Sequence, residues 1–393
     1  MLGLMVAGEG ERMIMDFSLD REEEMVREMV REFAEREIAP IAAEMDEKGR
    51  IPEELVKKMS RYNFWGIPIP QEYGGAGASY LSYIIAMEEL ARVCAALEVA
   101  CETHTSLCAE PIYHYGTEEQ KRKYLAPLAR GETIGGFALT EPNAGSDAGA
   151  LETTAVLDGD TWVLNGTKIF ITNALLADIF VVMAKTDRSQ GIKGISAFLV
   201  EKGTPGFAVG LPEKTLGIRA SAVAELVFDD CRIPRENILG KPGEGFRLAM
   251  ASLDGGRIGI AAQAVGIAQA AHEAAVKYAR ERKQFGRSIG RFQAIQWMIA
   301  DMATEIQAAR LLTYQAAYRR GRGLNHTKEA AMAKLYASEM AMRHTVKALQ
   351  VHGGYGYMTD YPVERYLRDA KITEIYEGTS EVQRMVIAGN ILR

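Results

Sequence analysis

From Phe246 to about Lys283 the chain runs through Ala, Met, Gln and Glu without a proline, and Phe292 to about Arg319 and Thr327 to about Gln350 continue in the same manner. Unbroken stretches of that length predict long helices, and short glycine-containing links between them predict an antiparallel bundle. Upstream, Ser18 to about Arg130 also reads as helical. Ser18 is the expected N-cap, and Met25, Met29 and Phe33 recur at the spacing of an apolar stripe. Pro40, Pro68, Pro70 and Gly74-Gly75-Ala76-Gly77 divide this zone into separate helices. Between about Gly131 and Leu239 the period changes to that of strands. Trp162 to Ile171 reads as a hairpin turning at Asn165-Gly166, and Ile195 to Val200 and Ala224 to Phe228 read as further strands. The expected fold class is α+β multidomain: an extension over 1–16, an all-α domain over 17–130, a small β domain over 131–240 and a four-helix-bundle-like domain over 241–393.

A net charge of −6 argues against nucleic-acid or anionic-membrane surfaces, and no apolar run is long enough for membrane insertion. Cys94, Cys101, Cys108 and Cys231 form no CxxC pair and read as small buried residues. The first three, seven apart, would share one face of a continuous helix. The six histidines complete no ligand pattern, so no metal site is expected. Glu9, Glu11 and Asp16 give the start neither a signal-peptide nor a transit-peptide character. The expected compartment is a reducing one, a prokaryotic cytoplasm or a mitochondrial matrix after loss of a transit peptide.

Three segments carry a resemblance. Gly136-Phe137-Ala138-Leu139-Thr140-Glu141-Pro142-Asn143-Ala144-Gly145-Ser146-Asp147 resembles the first signature of the acyl-CoA dehydrogenases. Gln350 through Gly353-Gly354 to Asp369, followed by Ile375-Tyr376-Glu377-Gly378-Thr379-Ser380-Glu381-Val382-Gln383-Arg384, resembles the second. Lys168 to Asn173 is similar to the family's flavin-facing segment. The resemblance extends from about Phe17 to Arg393. Leu253 to Ala261 and Val386 to Gly389 are most similar to short-chain, butyryl-CoA-type members.

The resemblance implies removal of an α-proton from an acyl-CoA and of a hydride from its β-carbon, giving the trans-2-enoyl thioester. No side chain accepts hydride, so a cofactor must. FAD is implied, with flavin N5 as acceptor in relatives. Glu377 is the implied base. In isolation it would be an ordinary loop glutamate, and the surrounding motif changes that reading. Burial beside an aromatic ring and a flavin would strengthen it as a base. Some relatives carry the base on the long helix instead, where this chain has Gly256.

By position, Phe137, Leu139, Thr140, Ser146, Phe170, Ile171 and Thr172 would hold the flavin. Thr379, Ser380 and Glu381 would contact FAD near the base. Arg282, Phe285, Gln293 and Gln350-Val351-His352-Gly353-Gly354 resemble residues that hold its pyrophosphate and adenosine from a neighbouring subunit. Substrate contacts are implied for Ser146, Asp254, Arg257, Tyr376 and Gly378. A homotetramer, and an electron-transfer flavoprotein as electron acceptor, are implied in the same way.

Alternatives are a member with another chain-length or branched-chain preference, and an inactive helical binding protein of the same fold. Glu98 stands where glutaryl-type members carry a cation and is expected to repel a dicarboxylate.

Overall fold

A computed structural model describes residues 18–392. The expected extension over 1–16, and Phe17 where the resemblance begins, lie outside the described residues. The first helix, α1 (Arg21–Phe33), is capped by Asp20 rather than Ser18. Glu23 stands three residues after Asp20, and the pair closes a reciprocal capping box: the Glu23 N–H donates to Asp20 at 2.9 Å and the Asp20 N–H to Glu23 at 2.8 Å. The apolar stripe also differs from expectation. Val26, Val30 and Phe33 face the core, whereas Met25 is 59% exposed and Met29 points outward.

Helix α2 (Tyr80–Val93) and helix α3 (Ala95–Glu102) are separated by Cys94, whose extended backbone (φ −151°, ψ 97°) ends one and begins the other. The first three cysteines therefore do not lie on one continuous helix. All four are free and buried.

Eight strands form one sheet: β1 (Gly135–Ala138), β2 (Thr154–Asp158), β3 (Thr161–Ile171), β4 (Ile179–Lys185), β5 (Ile195–Glu201), β6 (Phe207–Pro212), β7 (Ala224–Pro234) and β8 (Ile238–Leu239). Their order is β6-β7-β3-β2-β4-β5-β8, with β1 parallel to β4. Strand β4 is buried on both faces. Ile179, Val181 and Met183 pack with Phe137, Leu139 and Leu248, while Phe180, Val182 and Ala184 pack with Trp162 and Phe198. The sheet thereby attaches to the helical part through its β1 side.

The expected hairpin at Asn165-Gly166 is corrected. These residues lie inside the single strand β3, at a register irregularity against β7 where Gly166 takes φ 147°. Asn165 exchanges hydrogen bonds with Asp230 across the bulge. The reversal is made by Gly159-Asp160 between β2 and β3, with Gly159 at φ 62°.

Helix α4 (Gly245–Glu281) has 37 residues and is about 55 Å long. It packs against α2 and against α6 (Thr327–His352), with α5 (Gln293–Gly321) alongside. One core joins Tyr83, Ile84 and Met87 of α2 to Ile258 and Val265 of α4 and Met340 of α6. The two helical zones are thus one packed body. Helices α7 (Val363–Ile372) and α8 (Ser380–Ile391) complete the chain against α6. Among the described residues, no helix is long and apolar enough to cross a membrane.

Candidate active site

Between α7 and α8 the backbone makes a turn that a glutamate would not choose unaided. Glu377 takes φ 55° and Gly378 φ 96°. The left-handed region costs a residue with a Cβ about 1–2 kcal/mol, so neighbours must hold it there. Four contacts do so. The Arg257 guanidinium donates to the Glu377 carbonyl at 3.3 Å, the Gln383 amide donates to the carbonyls of Glu377 and Gly378 at 3.2 and 2.8 Å, and Lys334 donates to Gly378 at 2.7 Å. Arg257 is itself oriented by Asp254 at 2.6 Å, and Asp254 accepts from the Thr327 hydroxyl at 2.6 Å. Thr379 then caps α8 by accepting from the Val382 N–H.

The Glu377 side chain lies over Gly256 of α4. A Cβ at position 256 would stand 2.7 Å from its Cδ and 2.8 Å from Oε1, and nearer still to Oε2. The glycine that removes the alternative base position also makes room for this carboxylate. Glu377 Oε2 is sealed from solvent and has no hydrogen-bond partner. Burial raises its pKa to about 7, against the opposing pull of Glu102, Lys334 and Arg257. Lys334 is wholly buried, and burial lowers its pKa to about 8 while Glu377 opposes the shift.

Glu98 and Glu102 of α3 are also wholly buried, and desolvation pushes both well above the usual carboxylate range. Burial thus disfavours the charged form of Glu98, the form on which the expected repulsion of a dicarboxylate depends.

A second group of residues is strapped together from two strands. Lys168 of β3, buried, pairs with Glu141 at 2.7 Å and donates to the Leu139 carbonyl at 3.1 Å. Glu141 also accepts from the Thr153 N–H, and the Ile169 N–H donates to the Thr140 carbonyl at 3.0 Å. Phe137, Leu139 and Thr140 are thereby tied to the end of β3. There the register shifts between Lys168 and Ile171, and Phe170 takes φ 57° and is 64% exposed. Ile171 is buried, Thr172 half-buried and Ser146 exposed. Phe137 and Leu139 share a core with Leu253, which places this edge beside the start of α4 and its Asp254.

The remaining candidates lie elsewhere. Arg282, Val351, His352, Gly353 and Gly354 line a hollow of about 500 Å³ at the far ends of α4 and α6. His352 stacks on Tyr278 at 4.3 Å, and Arg282 lies over the Tyr355 ring. Phe285 is 92% exposed, and Gln293 and Gln350 are also exposed. Arg282 follows Gly256 by 26 residues on or just beyond the same helix, roughly 39 Å at 1.5 Å per residue. One chain therefore presents two separated sets of candidate residues. Of the candidates near the base, Tyr376 donates its hydroxyl to Gln263, Ser380 is buried and Glu381 is exposed.

The sequence pointed to no role for Lys334, Glu102 or Gln263, nor for Gln383, although Gln383 lies within the second signature. The available signal was a charged or amide side chain inside a run of small residues, as in Ala333-Lys334 and Ala100-Cys101-Glu102.

Comparison with known proteins agrees with this architecture. The N-terminal, middle and C-terminal domains of acyl-CoA dehydrogenase match residues 20–132, 136–231 and 243–392. The short-chain specific acyl-CoA dehydrogenase of Clostridium acetobutylicum is 61% identical over 96% of this chain and 100% of its own length. Butyryl-CoA dehydrogenase from Megasphaera elsdenii superposes with a TM-score of 0.95 at 49% identity, covering 96% of this chain and all of that one. A chain in the solved structure of the electron transferring flavoprotein of Acidaminococcus fermentans superposes with a TM-score of 0.96 at 55% identity, with coverage of 96% and 100%. The chain belongs to the acyl-CoA dehydrogenase family.

Proposed function

We propose that this enzyme oxidises a short, straight acyl-CoA to its trans-2-enoyl-CoA, with Glu377 as the base that removes the α-proton. The observation that carries the reading is the Glu377 turn: a carboxylate held in a left-handed conformation, one oxygen unpartnered, its pKa raised to about 7. A base with that pKa matches its task at neutral pH. Arg257, Gln383 and Lys334 hold the turn so that the carboxylate meets the α-carbon without reorganising.

The chain's residues fit FAD. Exposed Phe170 offers an aromatic face, Thr140 and Thr172 offer polar groups beside it, and Arg282 stands in an aromatic-lined hollow suited to a pyrophosphate and adenosine. Bound FAD supplies the acceptor for the β-hydride. The roughly 39 Å between the two sets of residues exceeds the span of one dinucleotide, so each cofactor would be held by two subunits. This supports an assembly of at least two subunits, with which the homotetramer is consistent, as does the exposure of Phe285 and Trp297. Light scattering that finds an active monomer would refute it.

Short-chain preference is supported by the Clostridium and Megasphaera relatives, and an electron-transfer flavoprotein as acceptor by the Acidaminococcus structure. The bacterial cytoplasm fits the four free thiols. The test is a steady-state survey of acyl-CoAs from short to long with an artificial dye as electron acceptor. The largest kcat/KM is expected for butyryl-CoA. A larger value for palmitoyl-CoA would contradict the chain-length reading, and no turnover of any acyl-CoA would contradict the function.

A further inference from the structure

Helix α3 sets Glu98 and Glu102 one turn apart and buries both against α4. On α4, Gly256, Gly259 and Gln263 lie along one face, at spacings of three and four residues. Glu377 lies over Gly256. Glu102 lies over Gly259, where a Cβ would come within 2.5 Å of its Cγ. Gln263 lies near Glu98, accepts from the Tyr376 hydroxyl and donates to the Ala95 carbonyl at 3.0 Å. Three carboxyl groups thus follow one another along a buried stripe. Neither oxygen of Glu98 or Glu102, nor Oε2 of Glu377, has an acceptor-satisfying donor of good geometry.

Three carboxylates cannot all stay ionised in such a place. The surroundings decide where the charge goes. Glu377 faces two cations, Lys334 from α6 and Arg257 from α4. Glu102 faces none. Its charged neighbours are Glu377 and Glu98, with the Ser106 hydroxyl beside it and the phenols of Tyr80 and Tyr83 from α2 within electrostatic reach. Glu98 faces Gln263, Tyr376, the Cys101 thiol and the same acids, and Cys101 also neighbours Glu102. One proton placed on Glu102 converts two unmet acceptors into a donor and an acceptor.

We propose that Glu102 is a positioning residue for the base, retaining its proton and donating a hydrogen bond to the Glu377 carboxylate. The inference rests on Glu377 being the base. The donated bond keeps Glu377 ionised near neutral pH despite burial and fixes the plane of its carboxylate over Gly256. No bond is made or broken by Glu102 in the reaction. Its proton stays on it through turnover.

The test compares Glu102→Gln, which retains an N–H donor, with Glu102→Leu, which has none. The readouts are the acid limb of kcat/KM for butyryl-CoA against pH and the infrared carbonyl band of protonated carboxylic acid at neutral pH. The limb is expected to coincide with wild type in Glu102→Gln and to move up by about one pH unit in Glu102→Leu. The infrared band is expected to weaken in both. A limb unmoved in Glu102→Leu, or moved equally in both variants, overturns the proposal. An undiminished band overturns it too, and that reading requires only that Glu102→Gln fold. Failure of the base assignment is a separate result, seen as turnover in Glu377→Gln.

Discussion

Substituting alanine for Gly256 adds one methyl group at the point where α4 meets the Glu377 carboxylate. That Cβ would stand 2.7 Å from Glu377 Cδ, whereas carbon atoms in ordinary contact are roughly 3.7 Å apart. The carboxylate must therefore retreat by about 1 Å. The atom in the way is the end of a flexible side chain, so the fold can yield at little cost. Alanine is also favoured over glycine within a helix by about 1 kcal/mol, which offsets the displacement. The two effects should leave the thermal midpoint within a few degrees of wild type. Catalysis has no such relief. A misplacement of about 1 Å can cost about 10²-fold in rate, roughly 2.7 kcal/mol of barrier. The assay is stopped-flow reduction of the flavin by butyryl-CoA in Gly256→Ala, run beside a thermal melt and a flavin spectrum. A hundredfold slower reduction in a stable, flavin-loaded protein is expected. Reduction at near wild-type speed would show that Glu377 acts from a position away from Gly256.

Because the Glu377 pKa is raised to about 7, kcat/KM should rise with pH through that value as the carboxylate loses its proton. Lys334→Met removes a cation that lowers this pKa, so the acid limb should move to higher pH; a limb moving down would contradict the sign. Lys168→Met leaves Glu141 charged and buried and should destabilise the fold by about 3–5 kcal/mol, measured by urea unfolding, with parallel loss of flavin. An unchanged midpoint would mean that the pair does not hold the two strands together.

The order of helices, sheet and helices was legible because each zone keeps its own hydrophobic period over a long stretch. Proline-free α4 and α6 differ from it by only a few residues at their ends. Local signals misled where a neighbour competed. Asn165-Gly166 has turn chemistry, but β7 pairs on both sides of it and turns the same residues into a bulge. Ser18 can cap a helix, but Asp20 has Glu23 at the reciprocal position. Met25 and Met29 are apolar, yet Val26, Val30 and Phe33 share the face that meets α2. Glu377 could be singled out through the motif around it. Lys334 and Glu102 could not, because they come from α6 and α3, distant in sequence, and Arg257 could be named only as a substrate contact, not as a residue that holds the turn. Their closeness is a consequence of packing, and no local pattern encodes it.

The role proposed for Glu377 is removal of the α-proton. Glutamine at this position keeps the shape of the side chain but cannot accept a proton at neutral pH. Loss of a general base costs on the order of 10² to 10⁴ in rate, and Gly256 offers no replacement across the site. The direct measurement mixes flavin-loaded Glu377→Gln with butyryl-CoA under anaerobic conditions and follows bleaching of the flavin, with ligand binding checked in the same sample. The variant is expected to bind FAD and acyl-CoA and scarcely to bleach. Bleaching at near wild-type speed would show that another group takes the proton.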